Sequence, residues 1–122
     1  MTCDSPIPAW LLAVVAKLDE LATLQPNWNS YRATSVRSSC LLASVQLLLD
    51  IMQESSPAPA VIPTNHGTVL LEWHRGGIDL EIDVLGPGRF HVVAEDASLG
   101  TEMESDIGSD PTEIVRYLER LS

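Results

Sequence analysis

The chain has 122 residues, room for a single domain that buries about two-thirds of the surface its unfolded form exposes, so neither disulfide nor metal is needed to hold it. Seventeen Asp and Glu against seven Lys and Arg leave a formal charge of −10, which argues against direct binding to nucleic-acid phosphates, since those contacts are made mostly by Lys and Arg. The apolar run from Trp10 to Ala16 is interrupted at Lys17 and the N-terminus lacks a basic signal-peptide start, so the expectation is a cytoplasmic protein with no membrane segment.

Ser5-Pro6-Ile7-Pro8 supplies a cap and prolines suited to a first helical turn. Ile7, Leu11, Val14, Leu18 and Leu21 follow at alternating four and three spacing, widened by Trp10 and Val15, which predicts an amphipathic helix to about Thr23. Cys3 and Cys40 show no Cys-x-x-Cys or Cys/His spacing and read as thiols in a reducing compartment.

Gln25 to Ala33 is broken by Pro26 and reads as a loop holding Asn27-Trp28-Asn29-Ser30-Tyr31. Two aromatics in a polar turn serve either as anchors that pin the loop to the core, the reading favoured by the Asx-turn capacity of Asn27 and Asn29, or as a recognition surface. A second helix is predicted from Ser35 to about Gln53. Cys40, Ala43, Leu47 and Ile51 form one apolar stripe, and Leu41, Leu42, Val45, Leu48, Leu49 and Met52 form another, so this helix needs neighbours on two sides. Packing between the sheet and the first helix satisfies that; a homodimer contact through this helix is the alternative. Ser38, Ser39, Ser44 and Gln46 are the positions left to meet water. Ser55-Ser56-Pro57-Ala58-Pro59 breaks the helix as a short linker.

Val61-Ile62-Pro63-Thr64 reads as an edge strand, because Pro63 cannot donate to a ladder. Thr68 to Arg75 and Ile78 to Val84 flank Gly76-Gly77, a hairpin signal that sets Trp73 opposite Leu80, Leu71 opposite Ile82, Val69 opposite Val84 and Glu72 opposite Glu81. Asn27-Trp28-Asn29-Ser30-Tyr31-Arg32-Ala33, then Pro63-Thr64-Asn65-His66-Gly67 and Leu71-Glu72-Trp73, together resemble a group of small, functionally uncharacterised bacterial proteins. Their pattern is a Gly-Trp-Asp-Gly-Tyr-Gly-Ala-like loop, a helix, a Pro-Thr-x-x-Gly segment and a Glu-Trp strand. Asn27, Asn29, Ser30 and Arg32 stand where that pattern has Gly, Asp, Gly and Gly. The resemblance spans about Leu24 to Val84, implies a bacterial or phage source and transfers no catalytic residue.

After Gly86-Pro87-Gly88, a strand from Arg89 to Glu95 faces Phe90 to Val84, Val92 to Ile82 and His91 to Asp83. A further strand from Leu99 to Asp106 is expected to turn Leu99, Thr101 and Met103 inward, with an Asp96-Ala97 turn placing Glu102 beside His91 and Arg89 beside Glu104. Asp83, His91 and Glu102 would then form a row of one imidazole and two carboxylates, the sequence's best candidate for a divalent metal or acid/base chemistry. Cross-strand charge pairing explains the same row without a reaction. His74, beside Asp79, and His66, in a turn, are weaker candidates, and no hydrolase, phosphate-loop or zincin motif is present. Asp110-Pro111-Thr112-Glu113 announces a last helix that buries Ile114, Leu118 and Leu121, flanked by Val115 and Tyr117.

The expected architecture is α+β over residues 1–122: two N-terminal helices, an antiparallel meander of four to five strands and a C-terminal helix, with the helices on the apolar side of the sheet. Thr68 to Asp106 holds nine acids against Arg75 and Arg89, so the negative charge is expected on the sheet. The function expected is a non-enzymatic module that binds a basic protein partner, as an antitoxin, inhibitor, immunity protein or adaptor would. Its site would comprise Glu72, Asp79, Glu81, Asp83, Glu102 and Glu104, with Trp28 and Tyr31 from the loop, and no cofactor. A metal-assisted hydrolase using Asp83, His91 and Glu102 and a structural subunit of a bacterial or phage assembly are the alternatives.

Overall fold

A computed structural model describes residues 7–53, 55–108 and 111–121. Helix α1 covers Ala9–Ala22 and α2 covers Ser38–Ile51; strands β1 (Ala60–Pro63), β2 (Val69–Arg75), β3 (Ile78–Gly86), β4 (Arg89–Asp96) and β5 (Thr101–Ile107) follow, then helix α3 (Thr112–Leu121). The protein is α+β, its strands forming one antiparallel sheet in the order β1-β2-β3-β4-β5 with the helices on one side. No helix among the described residues is long and apolar enough to cross a membrane. Cys3 and the expected helix caps Ser5 and Asp110 lie outside the described residues.

The β2–β3 register is the one the alternation dictates. Arg75 pairs with Ile78, Trp73 with Leu80, Leu71 with Ile82 and Val69 with Val84, around Gly76 and Gly77 at φ of 61° and 80°. Val84 pairs with Phe90, Ile82 with Val92 and Asp83 with His91, also as expected. Leu85 bulges out of this ladder, and its carbonyl accepts hydrogen bonds from Arg37 Nη2 at 3.1 Å and the buried Cys40 thiol at 3.5 Å, tying the sheet to the start of α2. One continuous core joins these strands to Trp10, Val14, Leu18 and Leu21 of α1, Cys40, Ala43, Leu47, Leu48 and Ile51 of α2, and Ile114, Leu118 and Leu121 of α3.

Several expectations need correction. Ile7 precedes α1 and is 61% exposed, and Val15 lies at the exposed margin of that helix. Helix α2 begins at Ser38 rather than Ser35, because the Thr34 and Arg37 amides donate to the Asn65 and Gly67 carbonyls, both at 2.9 Å, and hold the chain extended. Ser44, expected at the surface, is fully buried, its hydroxyl donating to the Cys40 carbonyl at 2.7 Å, while Leu42 and Leu49 stay 60% and 57% exposed. Leu99 is exposed in the β4–β5 turn instead of pointing inward, because that turn spans Ala97 to Gly100.

That longer turn is built on Asp96. Its side chain is fully buried; Oδ1 accepts from the Ser98 amide at 2.9 Å, the Ser98 hydroxyl at 2.7 Å and the Leu99 amide at 3.3 Å, and Oδ2 is ion-paired to Arg120 of α3. Asp96 therefore belongs to the inner face, and one of the nine acids assigned to the wet sheet surface is an internal clamp. Removing the carboxylate strands a guanidinium and three donors, so Asp96→Ala should cost about 3–5 kcal/mol in urea denaturation. Arg120→Ala should also destabilise, because it leaves the fully buried Asp96 carboxylate without its counter-charge.

Trp73 is 3% exposed and donates Nε1–H to the Pro57 carbonyl at 2.8 Å, whereas Trp28 is half-buried and donates to the Thr34 carbonyl at 3.1 Å. Trp73→Ala should lose about 3–5 kcal/mol through the cavity it opens. Trp28→Ala should lose less than half of that, a comparison that chemical denaturation of both variants settles.

Candidate functional site

The face of the sheet away from the helices collects the acids. Its cross-strand rows run Glu72–Glu81–Val93–Glu104, Leu70–Asp83–His91–Asp106 and His74–Asp79–Glu95–Glu102. Glu72 lies directly opposite Glu81, Asp79 opposite Glu95, and Glu95 opposite Glu102. Like charges so placed destabilise a sheet.

Two histidines interrupt the repulsion. His74 has Nδ1 at 2.7 Å from Asp79 and Nε2 at 3.3 Å from Glu72; His91 has Nδ1 at 2.7 Å from Asp106 and Nε2 at 3.0 Å from Glu104. A neutral imidazole can donate from only one nitrogen, and only the imidazolium satisfies both carboxylates at once. The hydrogen bond to Asp79, then that to Glu72, raises the pKa of His74 above 6.5; the bond to Asp106 does most to raise that of His91, with Glu104 adding to it.

The expected row of Asp83, His91 and Glu102 is not formed. The four-residue turn at Asp96 carries β5 past that register, so Asp106 lies opposite His91 and Glu102 opposite Glu95, and Arg89 does not meet Glu104. Asp83 keeps its place beside His91 in the ladder, but its Oδ1 is buried without a hydrogen-bond partner among the described residues. The acids expected to bind a partner, Glu72, Asp79, Glu81, Asp83, Glu102 and Glu104, do share this one face. Glu95 and Asp106, absent from the residues expected of the site, lie on the same face, and both have the parity of outward positions. The one grouping in which three metal-ligating side chains converge, among the described residues, is Glu72, His74 and Glu81, with donor atoms within 4.8 Å of one another. These groups lie on an open face, and His74 is already engaged by Asp79.

At one end of the sheet a cleft of about 560 Å³ brings Arg37, His66 and Arg89 around Asp83 and Leu85. This basic corner, invisible in the linear sequence, bounds the acidic face.

The aromatic loop docks against the β1–β2 turn. Asn29 Nδ2 donates to Asn65 Oδ1 at 2.6 Å, and the Asn27 amide donates to the Ala33 carbonyl at 2.6 Å, closing the loop. Asn29 Oδ1 accepts the Tyr31 amide at 2.9 Å, the Asx-turn expected of it. Trp28 is pinned, whereas Tyr31 is 81% exposed and anchors nothing. Gly67 packs where a Cβ would come 2.9 Å from the Ser35 carbonyl oxygen, and its φ of 81° also demands glycine. Among the described residues, Asn27, Ser30 and Arg32 are the non-glycine residues with positive φ, and these are the positions at which the Gly-Trp-Asp-Gly-Tyr-Gly-Ala-like pattern carries glycine. Comparison with family models, with curated proteins and with solved structures finds no match to this chain.

Two outcomes follow from this geometry. Ser30→Gly and Arg32→Gly should each stabilise the protein by about 0.5–1 kcal/mol, because they relieve a left-handed backbone without losing a bond. Asn27→Gly should not, since Asn27 Oδ1 accepts the Arg32 amide at 2.7 Å. The histidines should make stability depend on pH. Their folded pKa values are raised, so their contribution is complete below the unfolded value of 6.5 and is lost as pH rises through the folded values. Melting temperature should therefore fall as pH rises from about 6.5 through the raised folded values, and His74→Gln/His91→Gln should flatten that slope.

Proposed function

We propose that the protein is a small non-enzymatic binding module that engages a basic protein partner through the outer face of its sheet, in the manner of an antitoxin, inhibitor, immunity protein or assembly adaptor in a reducing cytoplasm. The observation that carries this reading is the stacking of like charges across strands, Glu72 on Glu81 and Glu95 on Glu102. A fold gains nothing from such pairs, whereas a cationic partner neutralises them and is steered by their field. Glu72, Asp79, Glu81, Asp83, Glu102 and Glu104, joined by Glu95 and Asp106, are the contact groups. Tyr31 at the tip of the aromatic loop supplies an exposed phenol to the same class of partner, with Trp28 holding the loop in place. The resemblance to small bacterial proteins supports a bacterial or phage source. Metal-assisted hydrolysis by Asp83, His91 and Glu102 is the weaker reading, because Glu102 faces Glu95 and both imidazole nitrogens of His91 are engaged by Glu104 and Asp106.

A second reading rests on α2, where Leu42 and Leu49 remain exposed. A homodimer through that helix, as in a structural subunit, would cover them; light scattering of the wild type against Leu42→Gln/Leu49→Gln tests it.

The main reading is tested by capture from a bacterial lysate on immobilised wild-type protein and on Glu81→Gln/Glu102→Gln/Glu104→Gln. The wild type should retain basic proteins that are released by rising salt, and the variant should lose them while staying folded. Equal retention by both would contradict the proposal.

A further inference from the structure

The two edges of the sheet are built differently. β1 has four residues, ends in Pro63, follows Pro57 and Pro59, and is packed by α1. Prolines in and beside it remove donors that another strand would need. β5 has seven residues, no proline or glycine, and a single strand neighbour in β4. Among the described residues it makes no backbone hydrogen bond beyond that pairing. A long regular edge of this kind is a template for a further strand.

The side chains of β5 determine which strand fits. Glu102, Glu104 and Asp106 project on the outer face, while Met103 and Ile107, both half-buried, lie at the margin of the core on the inner face. A second copy of β5 would set acids opposite acids, so these residues oppose self-pairing. A strand that alternates Lys or Arg with apolar residues meets the carboxylates on one face and extends the core on the other.

We propose that β5 is the docking edge for an extended segment of the basic partner, added as a sixth strand with cationic side chains at alternate positions. This rests on the reading of the acidic face as a partner surface and names the element and the binding mode.

The test uses the full chain, isotopically labelled, and a synthetic peptide alternating Lys with Val and Thr, with two twins N-methylated at alternate backbone nitrogens, one for each edge of the peptide. The twins keep the charge and remove the donors of one edge. The unmodified peptide should bind, slow amide exchange in Thr101–Ile107, and lose roughly tenfold or more in affinity when the edge facing β5 is methylated, with the other twin less affected. Glu102→Gln/Glu104→Gln should weaken all three. Equal binding of all three peptides with no protection of β5 would overturn edge addition while leaving the acidic-face reading standing. Absence of binding by every peptide at low salt would overturn both.

Discussion

The parity of β3 is the constraint on which the rest of the structure depends. Ile78, Leu80, Ile82 and Val84 point into the core, and Asp79, Glu81 and Asp83 point out. Slipping this central strand by one residue would expose all four apolar side chains and bury three carboxylates, which no rearrangement of the helices could repair. Its neighbours are therefore locked in register on both sides. The same lock forces Glu72 against Glu81 and Asp79 against Glu95, so the burial that holds the sheet together also concentrates its charge.

Polar contacts then attach the helices to this frame at a few specific points. The Leu85 bulge turns a carbonyl toward Arg37 and Cys40, and Asp96 reaches Arg120 of α3 while capping the turn into β5. The aromatic loop, the extended segment before α2 and the β1–β2 turn form one unit through Asn29, Asn65, Thr34 and Gly67. Gly67 permits the close approach, and its carbonyl, holding the Arg37 amide, delays the start of α2 together with the Asn65 carbonyl that holds the Thr34 amide.

What was legible in the sequence was what alternation and a short turn determine. Gly76-Gly77 and the unbroken pattern from Ile78 to Val84 set the β2–β3 register residue by residue, and the acidic face followed from it. The β4–β5 register was not legible. Asp96 has the look of a turn acid, and nothing local announces that its carboxylate is internal, since its partner Arg120 lies on another element. A two-residue turn at Asp96 therefore predicts Glu102 beside His91 where the structure has Asp106, although parity keeps both on the same face. Asn27, Ser30 and Arg32 likewise conceal left-handed backbone that only glycine would have advertised.

The acidic face thus opposes the fold that carries it, partly offset by His74 and His91, and the proposed cationic partner would complete the neutralisation. The most direct test of this balance is urea denaturation of the wild-type protein at neutral pH as sodium chloride is raised from about 0.01 M to about 0.15 M, which shortens the screening length from about 30 Å to about 8 Å. The account predicts that the midpoint rises, because repulsion among outer-face carboxylates is screened more than the pair between Arg120 and the buried Asp96 is weakened. A midpoint that stays constant or falls would contradict it.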